Sequence, residues 1–465
     1  MADAGDRLHA IDLVWLEMQG DGPPIAIGTV ALAEGAAPTD DEVLGMVAGR
    51  LDRMPRLHQN LTEPGVGLRR PEWVEAQDVD LAAHLHRIDA SASGGHVGLD
   101  AAVSHIMEQP LPAGEPLWDL WVVDGLEDRW ALVWRVHHTI ADGLGAMLML
   151  GHGFDCESDG GLTLADAILT AQSAPAQTVV QPATSAPKPV ALASEVGHRL
   201  GHVLDALRGA VPHVIPAVTA VVPHPPGPLT GVVGPGRVWV SVDIPLPEVK
   251  ATGRALGATV NDIVLACVAG GFRDLLIHRG EPVDGRLVRN LVPVSTRPPG
   301  DDRAQNRITA LLGHLPVGIA DPLDRLTAVR AGVAHGREVG TPAMASALLG
   351  LVDRAVPAAV QDVAVAAVGR TAPAWFMDTL TTNVPGPQFP VYVCRRRVLA
   401  MYPLIPVAGH TCITTGIFSY DGTLNIGVTG DADQAGDVDV LGRGIRNASV
   451  ELAQLAALSG RDAAG

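Results

Sequence analysis

The stretch "RVHHTIADGLG", residues 135–145, sets two adjacent histidines, an aspartate and two glycines within nine residues, 137 to 145. Three chemistries fit those residue types. An imidazole with an ordinary pKa of about 6.5 can take the proton from a hydroxyl as that oxygen attacks. His138 and Asp142 also stand four apart, the spacing of two metal ligands on one helix face. Gly143 and Gly145 oppose a regular helix there, and no third ligand follows at a recognisable spacing. The third reading is a polar turn, which Asp142-Gly143 would make by itself. Adjacent residues of an extended chain project to opposite sides, so only one of His137 and His138 can face a given site.

Other nucleophiles do not present themselves. No Gly-x-Ser-x-Gly elbow occurs, which argues against a serine hydrolase. Cys156, Cys267, Cys394 and Cys412 form no C-x-x-C pair and no known nucleophile context, as expected of reduced thiols inside a cell. A catalytic His138 would therefore act directly on a substrate hydroxyl, without an acyl-enzyme.

These residues need elements to hold them. "RWALVWRV" (129–136) alternates as a strand, with Leu132, Trp134 and Val136 on one face and Val133 and Arg135 on the other. "PLPEVKATGRALG" and "ATVNDIVLACVAGGFRDLLIHRG" read as two helices, with Asn261 in the first turn of the second. "YVCRRRVLAMYPLIPV" reads as a strand, and "TCITTGIFSYDGTLNIGVTGD" as two strands joined at Asp421-Gly422. Residues 170–189 are rich in Ala, Pro, Ser, Thr and Gln without apolar periodicity, and predict a flexible linker. It separates an N-terminal half, 1–169, from a C-terminal half, 190–465, each mixing strand and helix patterns as an α/β or α+β chain does. The segment 198–222 has helical apolar spacing interrupted by Pro212 and Pro216, and predicts either a core helix or a surface that touches lipid.

Composition narrows the function. A chain of 465 residues, 47% hydrophobic, predicts two or three domains with sizeable cores. The formal charge of −18 opposes nucleic-acid binding and adsorption to anionic membranes. The first 20 residues carry early charges and no apolar core, and no run of about 20 apolar residues follows, so a cytoplasmic protein is expected.

"HHTIADG" (137–143) resembles the HHxxxDG signature of the bacterial wax ester synthase/acyl-CoA:diacylglycerol acyltransferase family. Companion motifs stand in the family's order. They are Pro116-Leu117-Trp118, the Asn-Asp pair at 261–262, "VPVSTR" (292–297), "TNVPGP" (382–387) and "SYDGTLNIGVTGDAD" (419–433). The resemblance implies two chloramphenicol-acetyltransferase-like α/β halves with mixed sheets and an active-site tunnel at their interface. It implies acyl-CoA as a substrate rather than a cofactor, no metal, and diacylglycerol or a long-chain alcohol as acceptor, met at a membrane or lipid-droplet surface.

The resemblance further implies roles for single residues. His138 is the expected general base, and His137 faces away, supporting the loop or merely packing. Asp142 holds the loop by pairing with an arginine, for which Arg297 is the candidate, and Gly143 gives the backbone freedom. Asn261 with Thr382 or Asn383 are candidate oxyanion donors, a helix-capping role for Asn261 being the alternative. Pro116 and Trp118 would shape the tunnel wall.

Two departures bear on the acceptor. "PLTG" (228–231) lacks the family's Asn, and "GHTCIT" (409–414) replaces its Gly-x-Ala-Leu-Asn-Ile strand. They leave open another hydroxyl acceptor, such as a polyketide, sugar or small alcohol. A lipid-droplet-binding homologue without turnover is the remaining alternative, and the intact His138 and Asp142 count against it. Arg395, Arg396 and Arg397 form one basic patch that would suit lipid headgroups or CoA phosphates.

Overall fold

In chain order the N-terminal part holds α1 (Ala10–Gln19), β1 (Ala26–Glu34), α2 (Asp40–Ala48), β2 (Gln59–Leu61), β3 (Trp73–Glu75), β4 (Leu85–Asp89) and α3 (Gly95–Glu108). It continues with β5 (Trp118–Asp124), β6 (Arg129–His137), α4 (Gly143–Leu150) and α5 (Leu164–Ser173). The later part holds β7 (Arg237–Pro245), α6 (Leu246–Leu256), α7 (Val260–His278), β8 (Val288–Ser295), β9 (Ile308–Leu315) and α8 (Pro322–Glu338). It closes with β10 (Thr379–Pro385), β11 (Tyr392–Val393), β12 (Arg396–Leu404), β13 (Ile413–Tyr420), β14 (Thr423–Asp431) and α9 (Val438–Asp462). The structure is a computed structural model, describing residues 8, 10–19, 22–62, 71–112, 114–141, 143–173, 227–295, 308–338 and 377–462. Asp142, Arg297, the segment 198–222 and nearly all of the expected linker lie outside the described residues.

Two six-stranded mixed sheets organise these elements, in the orders β11-β12-β1-β6-β5-β4 and β7-β14-β13-β10-β8-β9. The α/β class expected from the sequence is the class observed. β6 lies inside the first sheet, antiparallel to β1 and β5, and is buried on both faces. Its Trp130, Leu132, Trp134 and Val136 enter one apolar cluster, and Ala131 and Val133 enter another. The second sheet carries α6, α7, α8 and α9 against its own core. There α7 and α9 approach so closely that a Cβ on Gly271 would lie 2.7 Å from Ile445 Cγ1.

Two readings of the sequence need correction. The linker cannot begin at 170, because α5 carries its helical hydrogen bonding through to Ser173. Residues 392–404 form a hairpin rather than one strand, since Cys394 and Arg395 turn the chain with φ of 45° and 66°. The boundary between the sequence halves is not the boundary between the sheets. β12 leaves the C-terminal half and pairs along β1, from Gly28↔Leu404 to Ala33↔Val398, completing the first sheet. A hydrogen bond from Met401 N to Asn425 Oδ1 (3.2 Å) and one from Tyr402 OH to Asp243 Oδ2 (3.0 Å) tie that crossing strand to the second sheet.

A second joint lies along the open edge of β7. Alternate N–H groups there, of Arg237, Trp239 and Ser241, donate to Glu108 Oε1 (2.8 Å), Ser104 Oγ (2.8 Å) and Asp100 Oδ1 (3.1 Å) of α3. Four helical residues rise about 6 Å and two strand residues about 6.6 Å, so side chains four apart on α3 match donors two apart on β7. An edge that would otherwise template pairing is thereby closed by a helix. Asp100 also accepts from Ser241 Oγ (2.7 Å), and burial pushes its carboxyl up to about 7.

The strand that carries the histidines is anchored from below by Arg135. Its guanidinium, 1% exposed, pairs with the fully buried Asp119 of β5, with Nε 2.9 Å from Oδ1. Nη1 donates to the carbonyls of Ile106 and of Gln109 (3.2 Å), at the C-terminal end of α3. Trp121 Nε1 completes the set by donating to Asp119 Oδ2 (2.9 Å).

Two outcomes follow from these joints. The folded Asp100 holds its proton up to about pH 7, whereas an unfolded aspartate releases it near pH ~4. Stability from this group is therefore lost as pH rises between those values, and Asp100→Asn should flatten that part of a melting-temperature profile from pH 4.5 to 8. Arg135→Met should cost about 3–5 kcal/mol in denaturant unfolding, since it strands the buried Asp119 carboxylate. The double variant Arg135→Met, Asp119→Leu should be more stable than the sum of the single losses.

Candidate active site

His138 is the first residue past β6, and its backbone N–H donates to Ile25 O (2.9 Å). Its ring is 9% exposed and stacks on the Trp15 indole with centroids 4.1 Å apart and planes 18° from parallel. His137, the last residue of β6, is held by other groups. Thr139 N–H donates to its Nδ1 (3.2 Å), so Nδ1 carries a lone pair and the proton resides on Nε2. Nε2 then donates to Gln19 Oε1 (2.8 Å), which also accepts from Ile25 N–H (3.1 Å). Burial, reinforced by the neighbouring His138, pushes His137 down to about 3, so it stays neutral. Trp15 and Gln19 stand four apart on one face of α1, and that single face grips both histidines.

His138 opens onto a cavity of about 990 Å³ that runs from the first sheet into the second, at the upper end for ligand sites. Towards the N-terminal elements its wall is hydrocarbon from α4 and α5, including Ala146, Met147, Leu150 and Ile168. Towards the C-terminal elements it is lined by α7, α8, β8 and β10, and there Asn261, Asn290, Thr382 and Asn383 supply polar groups. β8 and β10 share only the register pairs Thr379↔Asn290 and Leu380↔Leu291, and then diverge. Val292 on one side of that gap and Thr382, Asn383 and Val384 on the other all line the cavity. A tight backbone crossing at the first sheet also shapes the wall. A Cβ on Gly28 would lie 2.0 Å from Trp134 O, and only glycine lets β1 sit so close to β6 beside the histidines.

Residue by residue, the structure brings His138, Asn261, Thr382 and Asn383 into the lining of one cavity. Asn261 does not cap its helix. Thr259 does, accepting from Asp262 N–H (3.2 Å) while Asp262 Oδ2 accepts from Thr259 N–H (2.9 Å). The Asn261 amide is free of that task, and its Oδ1 accepts from Asn383 Nδ2 (3.0 Å). Pro116 and Trp118 are absent from the cavity lining, correcting the tunnel-wall expectation. Trp118 is core: its ring stacks on His84 at 3.9 Å, and Nε1 donates to Leu57 O (2.8 Å). Gly143 opens α4. Of the arginine patch, Arg396 pairs with Glu42 (2.7 Å) and Arg397 with Asp421 (2.9 Å).

Sequence models of known families decide the larger question. The wax ester synthase/diacylglycerol acyltransferase catalytic domain matches residues 8–264, and the C-terminal domain of the same proteins matches residues 304–453. The chain belongs to the wax ester synthase/diacylglycerol acyltransferase family. It is an acyltransferase. A Mycobacterium tuberculosis protein named as a probable diacylglycerol O-acyltransferase is 31% identical over 440 residues, 94% of this chain and 92% of the relative. Among solved structures, the wax ester synthase/diacylglycerol acyltransferase of Marinobacter aquaeolei superposes with a TM-score of 0.66 at 19% identity, covering 97% of this chain and 100% of that one. The first condensation domain of the calcium-dependent antibiotic synthetase superposes with a TM-score of 0.57 at 17% identity, covering 97% and 96%. At those identities the likeness is one of fold, the two-sheet fold that the wax ester synthase resemblance implied.

Trp15 and Gln19 are the site residues that motif reading misses. Their one local signal is the i,i+4 placement of a tryptophan and a glutamine in the short helical stretch "AIDLVWLEMQ". Nuclear magnetic resonance of the imidazole nitrogens tests the His137 assignment. His137 should show one neutral Nε2–H tautomer throughout pH 4.5 to 8, and any protonation step within that range would contradict the geometry.

Proposed function

We propose that this acyltransferase moves the acyl group of an acyl-CoA onto the hydroxyl of diacylglycerol or a long-chain alcohol, with His138 as general base. The observation that carries this reading is the position of His138 in the lining of a large, mainly apolar cavity formed by elements of both sheets. The His138 imidazole takes the acceptor's proton while its oxygen attacks the thioester carbonyl. The C–S bond then breaks, and the departing thiolate takes that proton back from the imidazolium. Holding the two substrates along one cavity supplies much of the rate, because attack becomes intramolecular in effect. Names of relatives such as the M. tuberculosis protein favour diacylglycerol as acceptor.

One observation favours a second acceptor class. The two segments that depart from the family's pattern lie together: Thr230 bridges to Thr411, and Gly231 N–H donates to His410 O (3.1 Å). Thr411 and Thr414 of the second segment line the cavity, which supports selection of a different hydroxyl substrate there. Substrate delivery from a membrane or lipid-droplet surface fits the same cavity, whose lining includes Phe389, an aromatic side chain left 42% exposed.

His138→Ala should lower ester formation from palmitoyl-CoA and dioleoylglycerol by about 10²- to 10⁴-fold, with the melting temperature little changed. Activity close to that of the unaltered protein would remove His138 as the base. A panel of diacylglycerols, fatty alcohols and small alcohols against one acyl-CoA ranks the acceptor classes.

A further inference from the structure

We propose that Trp15 is a positioning residue whose indole face stabilises the imidazolium that His138 becomes during ester formation. This rests on the general-base reading above. The two rings stack with centroids 4.1 Å apart and planes 18° from parallel, and His138 is 9% exposed. A cation over the face of an indole is attracted by the negative face of the ring, most strongly where water is kept away. The separation lies well inside the roughly 6 Å over which that attraction acts.

A general base begins neutral, and the stack is then ordinary ring packing. As the acceptor's proton crosses to the imidazole, positive charge grows against the indole face. When the proton passes on to the departing thiolate, that charge disappears. An attraction that is stronger in the transition state than in the ground state lowers the barrier. His137 adds no opposing charge, because burial keeps it neutral.

The two rings are held in this relation by a short circuit of hydrogen bonds. Ile25 N–H donates to Gln19 Oε1 (3.1 Å), one turn beyond Trp15 on α1, and Ile25 O accepts from His138 N–H (2.9 Å). Gly22 N–H donates to Gln19 O (2.9 Å) and turns the chain between them. Helix and histidine are thus referenced to one residue, and the indole meets the charge without having to move. Trp15 also lines the cavity, so a plain wall role is the competing reading. The electron density of the ring would not matter to a wall.

Fluorine on an indole withdraws charge from the ring face while changing its volume little, which separates the two readings. Protein carrying tryptophan, or its mono-, di- or trifluorinated form, is compared by single-turnover ester formation from palmitoyl-CoA and dioleoylglycerol. The rate should fall stepwise with fluorination, about tenfold in all. All eight tryptophans take the label, so Trp15→Phe is prepared in the same forms, and its rate should not respond to fluorine. That variant also controls for any effect of the label on folding. No response in either protein would overturn the proposal and leave Trp15 a wall residue. An equal fall in both would overturn it as well, by placing the effect at other tryptophans. Without label, Trp15→Leu should lose about tenfold and Trp15→Phe less, and equal losses would count against an electrostatic role. The underlying reading is tested apart by His138→Ala. If that variant keeps its rate, the general base falls and the stack's role with it. If it loses its rate while the unsubstituted protein ignores fluorine, only the role of Trp15 is overturned.

Discussion

The buried pair of Arg135 and Asp119 is the constraint on which the site depends. A guanidinium that is almost wholly out of water must have every donor engaged, and here the partners come from β5 and from the end of α3. Satisfying one side chain thus fixes three elements against one another. α3 then carries the side chains that close the edge of β7, so the same fixed body positions the second sheet. Two residues beyond Arg135 the chain reaches the paired histidines. The cavity's two walls are consequently referenced to one buried charge rather than to flexible loops.

Two identical side chains in sequence acquire different chemistry from their surroundings. His137 has its lone pair and its proton both committed, to Thr139 and Gln19, and burial keeps it uncharged. His138 instead lies flat against an indole on a cavity wall. The neutral partner matters because a positive charge next door would oppose any second protonation at His138. The helix α1, through Trp15 and Gln19, therefore does more than cover the sheet. It sets what each imidazole can be.

Much of this was legible in the chain. Alternation of large apolar residues gave β6 and its two faces, the Asp421-Gly422 pair gave the β13–β14 hairpin, and helical apolar spacing gave α7, although its cap is Thr259 rather than Asn261. The motif order pointed to the family and to His138. What escaped was long-range. Nothing near Trp118 says that its ring will lie on His84 rather than in the cavity, since an aromatic beside a strand start serves either purpose. Trp15 is more than a hundred residues from His138, and no periodicity reports such a pairing. The strand of residues 396–404 reads correctly as a strand, but strand patterns do not name their partner, so its place beside β1 was invisible.

That crossing strand has a consequence for how the protein is made. β1 is flanked by β6 and β12, and β12 lies in the last fifth of the chain. During synthesis the N-terminal elements emerge long before residues 396–404, leaving one side of β1 with unpaired backbone groups. Pairing across more than 360 residues closes a large loop and is slow to reward. The nascent first half is therefore an unfinished sheet with an exposed edge, a state in which chains pair with each other or await a chaperone. The two α/β halves look like separable modules, yet neither can be completed without the other. The order in which the ribosome releases them becomes part of the route to an active enzyme.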